Sequence, residues 1–283
     1  MIVEPAVLGL VLLAALLHAA WNTIIKTGRD GLLMFALIKA PTMIVGLIVI
    51  AFVGLPSVES VPYAVGSAAG FTAYCFLLVW AYRVGDLNLV YPVARGSAPL
   101  MVALFSGLLL GERLSDSGVA GIFIISLGIA AVAYHPGALT RHIPDLLRAF
   151  GVGLCIASYT LLDGVGARVS QNVLGYSAMA SVFSGIPLMI VTYVLRGREM
   201  TEALRRDWKI GIIGGVMMFT TYAIVIYAMT LTQVTHVAAL RETSIIFAAL
   251  IGMFFLKEPL GVRRIVAAAV VTVGIIVVAL SGR

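Results

Sequence analysis

Ten times along this chain an apolar stretch close to the thickness of a bilayer recurs, each separated from the next by a turn carrying Gly, Pro or charge. That recurrence excludes a soluble globular fold. A soluble domain of 283 residues covers itself with charged side chains, whereas here 61% of residues are hydrophobic and 11% charged. In hydrocarbon every backbone N–H and C=O must be satisfied within the segment, so stretches of this length fold as helices. The expected spans are 5–26, 32–53, 62–83, 88–110, 117–134, 147–168, 173–195, 209–231, 233–256 and 261–280. The longest connections are expected near 135–145 and 196–207, leaving no room for a soluble catalytic domain. Residues 1–5 carry no basic n-region, so the first span reads as retained rather than as a cleaved signal.

The second half repeats the first. Pro41-Thr42-Met43-Ile44-Val45 returns 146 positions later as Pro187-Leu188-Met189-Ile190-Val191, and Phe71-Thr72-Ala73-Tyr74 returns as Phe219-Thr220-Thr221-Tyr222. At the same offset Arg95 matches Arg241, Glu112 matches Glu258, and Gly128 matches Gly274. The expected division is residues 1–134, a connecting loop 135–146, and residues 147–283. Five spans per repeat is an odd number, so the second copy enters the membrane from the opposite side. The expected architecture is an all-α membrane protein of ten transmembrane helices in two inverted five-helix repeats, with a binding site between the halves.

Loops after the odd-numbered spans hold thirteen Lys and Arg residues and the opposite side three. Cytoplasmic loops carry the excess of basic residues, which places both termini outside the cytoplasm of a bacterial-type inner membrane. The net charge of +6 then reflects topology and not nucleic-acid binding. Cys75 and Cys155 lie in apolar runs without partners at metal-ligand spacing, so neither metal nor cofactor is expected.

The segments Gly107-Leu-Leu-Leu-Gly-Glu-Arg-Leu-Ser115 and Gly252-Met-Phe-Phe-Leu-Lys-Glu-Pro-Leu260, each followed by an apolar run, resemble the ends of two EamA domains of the drug/metabolite transporter superfamily. The resemblance extends over both halves. It implies a ten-span fold with a central cavity lined by spans 1, 3, 4, 6, 8 and 9, and export of amino acids or related metabolites without enzymatic activity.

An intramembrane guanidinium is costly unless it meets a carboxylate or a polar cavity, which singles out Arg95 and Arg241. Each lies about 10 Å inside its own membrane face at ~1.5 Å per residue, and inversion makes those faces opposite. Anionic groups such as carboxylate or phosphonate suit the Arg fork. Internal pairing to Asp163 or Glu242 is the structural alternative. Tyr91 shares a helical face with Arg95, as Ser244 does with Arg241, and Pro92 and Pro99 could loosen span 4. His18, Trp21 and Asn22 share a face of span 1, and Tyr159 and Asp163 one of span 6. Tyr74 and Tyr222, from the repeated Phe-Thr-x-Tyr, are further candidates to line the site. Lys39 matches Gly185 in the repeat and so breaks the symmetry, a candidate charge in substrate selection or gating. Asp163, Glu242, His18 and His236 are candidate proton carriers, with protons the candidate coupling ion. Glu112 and Glu258 are assigned to loop geometry. The competing class is an intramembrane enzyme or flippase for lipid or isoprenoid phosphates, with Arg95 and Arg241 gripping phosphate.

Overall fold

Pro5 opens the first helix, where its missing N–H forfeits no hydrogen bond, and α1 runs from Pro5 to Thr27. Asp30 caps α2 (Gly31–Val53), its Oδ1 accepting from the N–H groups of Leu32 (2.9 Å) and Leu33 (3.2 Å). The other oxygen accepts from Arg196 Nε at 2.8 Å, so this cap also ties two loops together. Partial burial acts to raise the Asp30 carboxyl, but the bonds from Arg196 and the two N–H groups outweigh it and hold the group below its usual value. Gly54, at φ +80°, ends α2 in the left-handed region that a residue without Cβ enters freely.

In the computed structural model residues 4–28, 30–84, 87–132, 143–255, 257 and 262–281 are described. After a 3-10 turn at Val58–Ser60 follow α3 (Val61–Val84), α4 (Leu87–Leu110), α5 (Asp116–Val132), α6 (Ile143–Val169) and α7 (Val173–Arg196). Then come α8 (Arg198–Arg206), α9 (Trp208–Leu231), α10 (Val234–Leu240), a 3-10 turn at Arg241–Thr243, α11 (Ser244–Phe255) and α12 (Val262–Leu280). No strand occurs among the described residues. Among the described residues eight helical stretches are long and apolar enough to cross a membrane, the last running through the 3-10 turn from Val234 to Phe255. The apolar parts of α5 and α12, Asp116–Ile129 and Ile265–Leu280, are shorter.

Two local expectations need correction. The connection at 196–207 is largely the helix α8, because Glu199 in its first turn and Arg205 and Arg206 in its last complement the helix dipole. Pro92 and Pro99 do not interrupt span 4, since α4 is continuous; a proline deletes one hydrogen bond, and Pro41 and Pro187 likewise sit inside unbroken helices. The tightening falls instead at Arg241–Thr243. Glu258 and residues 133–142 lie outside the described residues.

The two halves interleave. Among the helix pairs, α2 packs on α7 and α5 on α12, α3 and α4 pack on α6, and α1 packs on α9 and α11. Small residues permit this closeness: Gly215 lies so near α2 that an added Cβ would be 2.8 Å from Ile38 O and 2.8 Å from Pro41 Cβ, and Thr42 Oγ1 donates to Gly215 O at 3.1 Å. The largest apolar cluster joins Val11, Val102, Ile125, Ile226 and Leu240 from both halves. Ile44, Leu47, Phe52, Leu108, Phe254 and Phe255 point outward, as lipid-facing side chains should.

Candidate functional site

Where α1, α2, α3 and α4 meet α6, α7 and α9, polar side chains from both halves surround a cavity of about 80 Å³. That is roughly five times the space one buried water requires. Its walls place together His18, Trp21, Lys39, Tyr74, Arg95, Tyr159, Asp163, Tyr222 and Arg241, all singled out in the sequence. They reach it because α1, α3, α6 and α9 are pressed side by side, with Gly70 admitting the Tyr159 backbone close to α3.

Arg95 is buried, and its Nη2 donates to Ser244 Oγ at 2.9 Å and stands 3.0 Å from Glu242 Oε2. The carboxylate contact is one of charge and not of aligned hydrogen bonding, since Oε2 has no bond of good geometry among the described residues. Ser244 thus serves Arg95 across the halves although it follows Arg241 in sequence. The 3-10 turn places both partners: with fewer residues per turn and a longer rise than the α-helix, it turns Glu242 and Ser244 toward α4. Arg241 faces the cavity and makes no ion pair among the described residues.

Asp163 is 2% exposed, and its Oδ1 accepts from Tyr222 (2.8 Å) and Tyr176 (3.1 Å). Both donors are neutral, so the carboxylate is solvated by hydroxyls with no countercharge in contact among the described residues. Lys39 is 5% exposed, with Nζ 4.7 Å from the centroid of Phe71. Its attraction to the ring face offsets about 0.5–2 kcal/mol of the ammonium's desolvation. No hydrogen bond or ion pair joins Lys39 to another described residue. Phe71, Tyr74 and Tyr159 form an aromatic wall with centroids 5.8 to 6.1 Å apart, and His18 meets Trp21 edge-on at 4.8 Å. Buried hydroxyls of Thr160 and Thr221 and the Trp21 indole N–H lack partners among the described residues, leaving donors at the cavity wall.

Other candidates stand elsewhere. Asn22 Nδ2 donates to His18 O at 2.8 Å within its own helix. His236 is buried outside the cavity, with neither ring nitrogen hydrogen-bonded among the described residues. The side chain of Tyr91 lies outside the described residues. Glu112 has the loop role expected: its carboxylate accepts from Val234 N–H (2.8 Å) and from Thr235 N–H and Oγ (3.2 and 2.9 Å), capping α10. Arg168 joins it at 3.2 Å and also donates to Met229 O and Thr232 O. The sequence reading missed Tyr176, Ser67, Ser181 and Ser184, because isolated hydroxyls in apolar helices carry no periodic signal.

Residues 145–280 match the model of the EamA-like transporter family. An "Uncharacterized transporter" of Archaeoglobus fulgidus is 22% identical over 216 residues, covering 71% of this chain and 73% of that one. A solved structure described only as "Crystal structure of protein" superposes with a TM-score of 0.72 at 22% identity, covering 97% of this chain and 96% of the other. At that identity the likeness concerns the fold.

Proposed function

The chain belongs to the EamA-like transporter family through residues 145–280, and from that premise we propose a secondary transporter that moves small carboxylate- or phosphonate-bearing metabolites, amino acids among them, by alternating access. It is a membrane transporter and not an enzyme, so the lipid-phosphate enzyme gives way. The observation that carries the substrate reading is the cavity between the halves, where Arg241 and Lys39 present cationic groups with no carboxylate in contact among the described residues. Export is the direction the family resemblance implies. A buried cation without a countercharge is costly in a low-dielectric site, and an anionic solute removes that cost.

Ten spans in two inverted repeats, residues 1–134 and 147–283, account for the packing. Exchanging the halves converts the α3–α6 contact into the α9–α1 contact and the α4–α6 contact into the α11–α1 contact, and both members of each exchange occur. The pairs α2–α7 and α5–α12 map onto themselves. Alternating access needs two halves able to swap roles in this way.

Thermal denaturation of the purified chain against a panel of amino acids, organic acids, phosphonates and cationic drugs tests the proposal, because ligand stabilises by mass action. Anionic or zwitterionic solutes should raise the midpoint in wild type and do so less in Arg241→Gln. Stabilisation by cationic drugs alone would overturn the reading. Orientation has its own test. The basic-residue imbalance puts both termini outside, in the inner membrane of a bacterial-type cell, so a C-terminal alkaline phosphatase fusion should be active and a C-terminal fluorescent protein dark. Bright fluorescence would reverse that topology.

A further inference from the structure

The two repeat-related arginines have unequal surroundings, and the inequality is written in the repeat itself. Arg95 is held by Glu242 and Ser244. At the 146-residue offset their counterparts are Gly96 and Ala98, neither of which offers a side-chain acceptor to Arg241. The symmetry breaks again at Lys39, whose counterpart Gly185 packs so tightly that a Cβ there would be 2.2 Å from Met43 Sδ. The cavity thereby gains a cation on one side with no equivalent on the other.

The charges facing the cavity can be balanced residue by residue. Arg95 is neutralised by Glu242, and His18, which meets Trp21 edge-on, is counted in its neutral form. Lys39, Arg241 and Asp163 remain, two cations and one anion, and the hydrogen bonds given to Asp163 come from the uncharged hydroxyls of Tyr176, Tyr222 and Ser67. An occupant of net charge −1 brings the sum to zero. One with two acids and an ammonium also gives each of the three groups an opposite charge.

Resting on the reading of this cavity as the transport site, we infer that it selects small amphoteric solutes of net charge −1, such as α-amino dicarboxylates and, with the phosphonate singly ionised, their phosphonate analogues, Lys39 and Arg241 receiving the two acids and Asp163 the ammonium. Lys39 is then the residue that separates a diacid from its ω-amide. Arg95 has no part in that discrimination.

The test is titration of the purified full chain with glutamate, glutamine, glutarate and 2-amino-4-phosphonobutyrate, on wild type, Lys39→Met, Lys39→Arg and Arg241→Gln, after each variant has shown a cooperative melt. Losing one charge-assisted contact corresponds to about 10- to 100-fold in affinity. Wild type should therefore bind glutamate or the phosphonate at least about 10-fold more tightly than glutamine, which lacks the second acid, and than glutarate, which lacks the ammonium. Lys39→Met should reduce the glutamate-over-glutamine ratio to near one, and Lys39→Arg should restore most of it. Equal binding of glutamate and glutamine to wild type, or a preference that survives in Lys39→Met, would overturn the inference while leaving the transporter reading intact. Binding of other anionic solutes in the panel but of neither amino diacid would do the same. Silence across the whole panel would count against both.

Discussion

Glu242→Gln should destabilise the protein by ~3–5 kcal/mol, the cost of stripping a buried charge of its partner. Arg95→Gln should cost less. The difference follows from proton chemistry: a guanidinium keeps its charge, so Glu242→Gln strands a cation, whereas the carboxylate left by Arg95→Gln can take up a proton and become neutral. Both side chains are over nine-tenths buried and their contact joins α4 to the turn at Arg241–Thr243, so the loss is felt between the halves. Arg95→Met combined with Glu242→Leu should recover much of the stability lost by Glu242→Gln, since replacing both charges leaves neither stranded. Arg241→Gln should change stability little, because no ion pair among the described residues is broken. The measurement is the unfolding midpoint of each purified variant in the same detergent. Additive effects of the two single substitutions, or an Arg241→Gln loss equal to that of Glu242→Gln, would refute the unequal roles.

What the sequence discloses about this protein is governed by the range of the interactions concerned. Hydrophobic length and turn residues are local, so α1, α2, α7 and α9 begin and end within a residue or two of expectation. The intramembrane charges were equally visible, and Lys39, Arg95, Asp163 and Arg241 do line one cavity. Partnership is not local. Ser244 lies three residues after Arg241, and helical spacing suggests that the two cooperate, yet its hydroxyl accepts from Arg95, 149 positions away. Asn22 shares a face with His18 and Trp21, but an amide near its own helix backbone can bond to the carbonyl four residues earlier, and does. Tyr176, close to the start of α7, carries no signal in the sequence that singles it out. It is fully buried against Gly166, where no larger residue would leave room for its ring, and its hydroxyl reaches Asp163.

Replacing Gly274 should be the most damaging change available at the joint between α5 and α12. A Cβ at that position would stand 2.7 Å from Ile125 Cγ1, 2.8 Å from Gly121 O and 2.8 Å from Ile125 N, and one at Gly121 would stand 3.0 Å from Gly274 O and 3.0 Å from Val278 N. Most of these obstacles are backbone, so no rotamer change relieves them. Overpacking of a helix interface costs ~1–3 kcal/mol where side chains can adjust and more where they cannot. Gly274→Ala should therefore lower the unfolding midpoint clearly, and Gly274→Leu should leave little monodisperse protein after purification. Gly128 provides the internal control. It is the repeat counterpart of Gly274, but a Cβ there would meet only side-chain atoms, Val270 Cγ1 at 2.9 Å, Val271 Cγ2 at 3.1 Å and Val270 Cβ at 3.2 Å. Valine methyls can give by a few tenths of an ångström as backbone cannot, so Gly128→Ala should be milder than Gly274→Ala. Size-exclusion profiles and melting curves of the three variants decide the matter. A Gly274→Leu protein that elutes and melts like wild type would show that α5 and α12 can separate without loss of the fold, and the close backbone contact would then not be what joins the ends of the two halves.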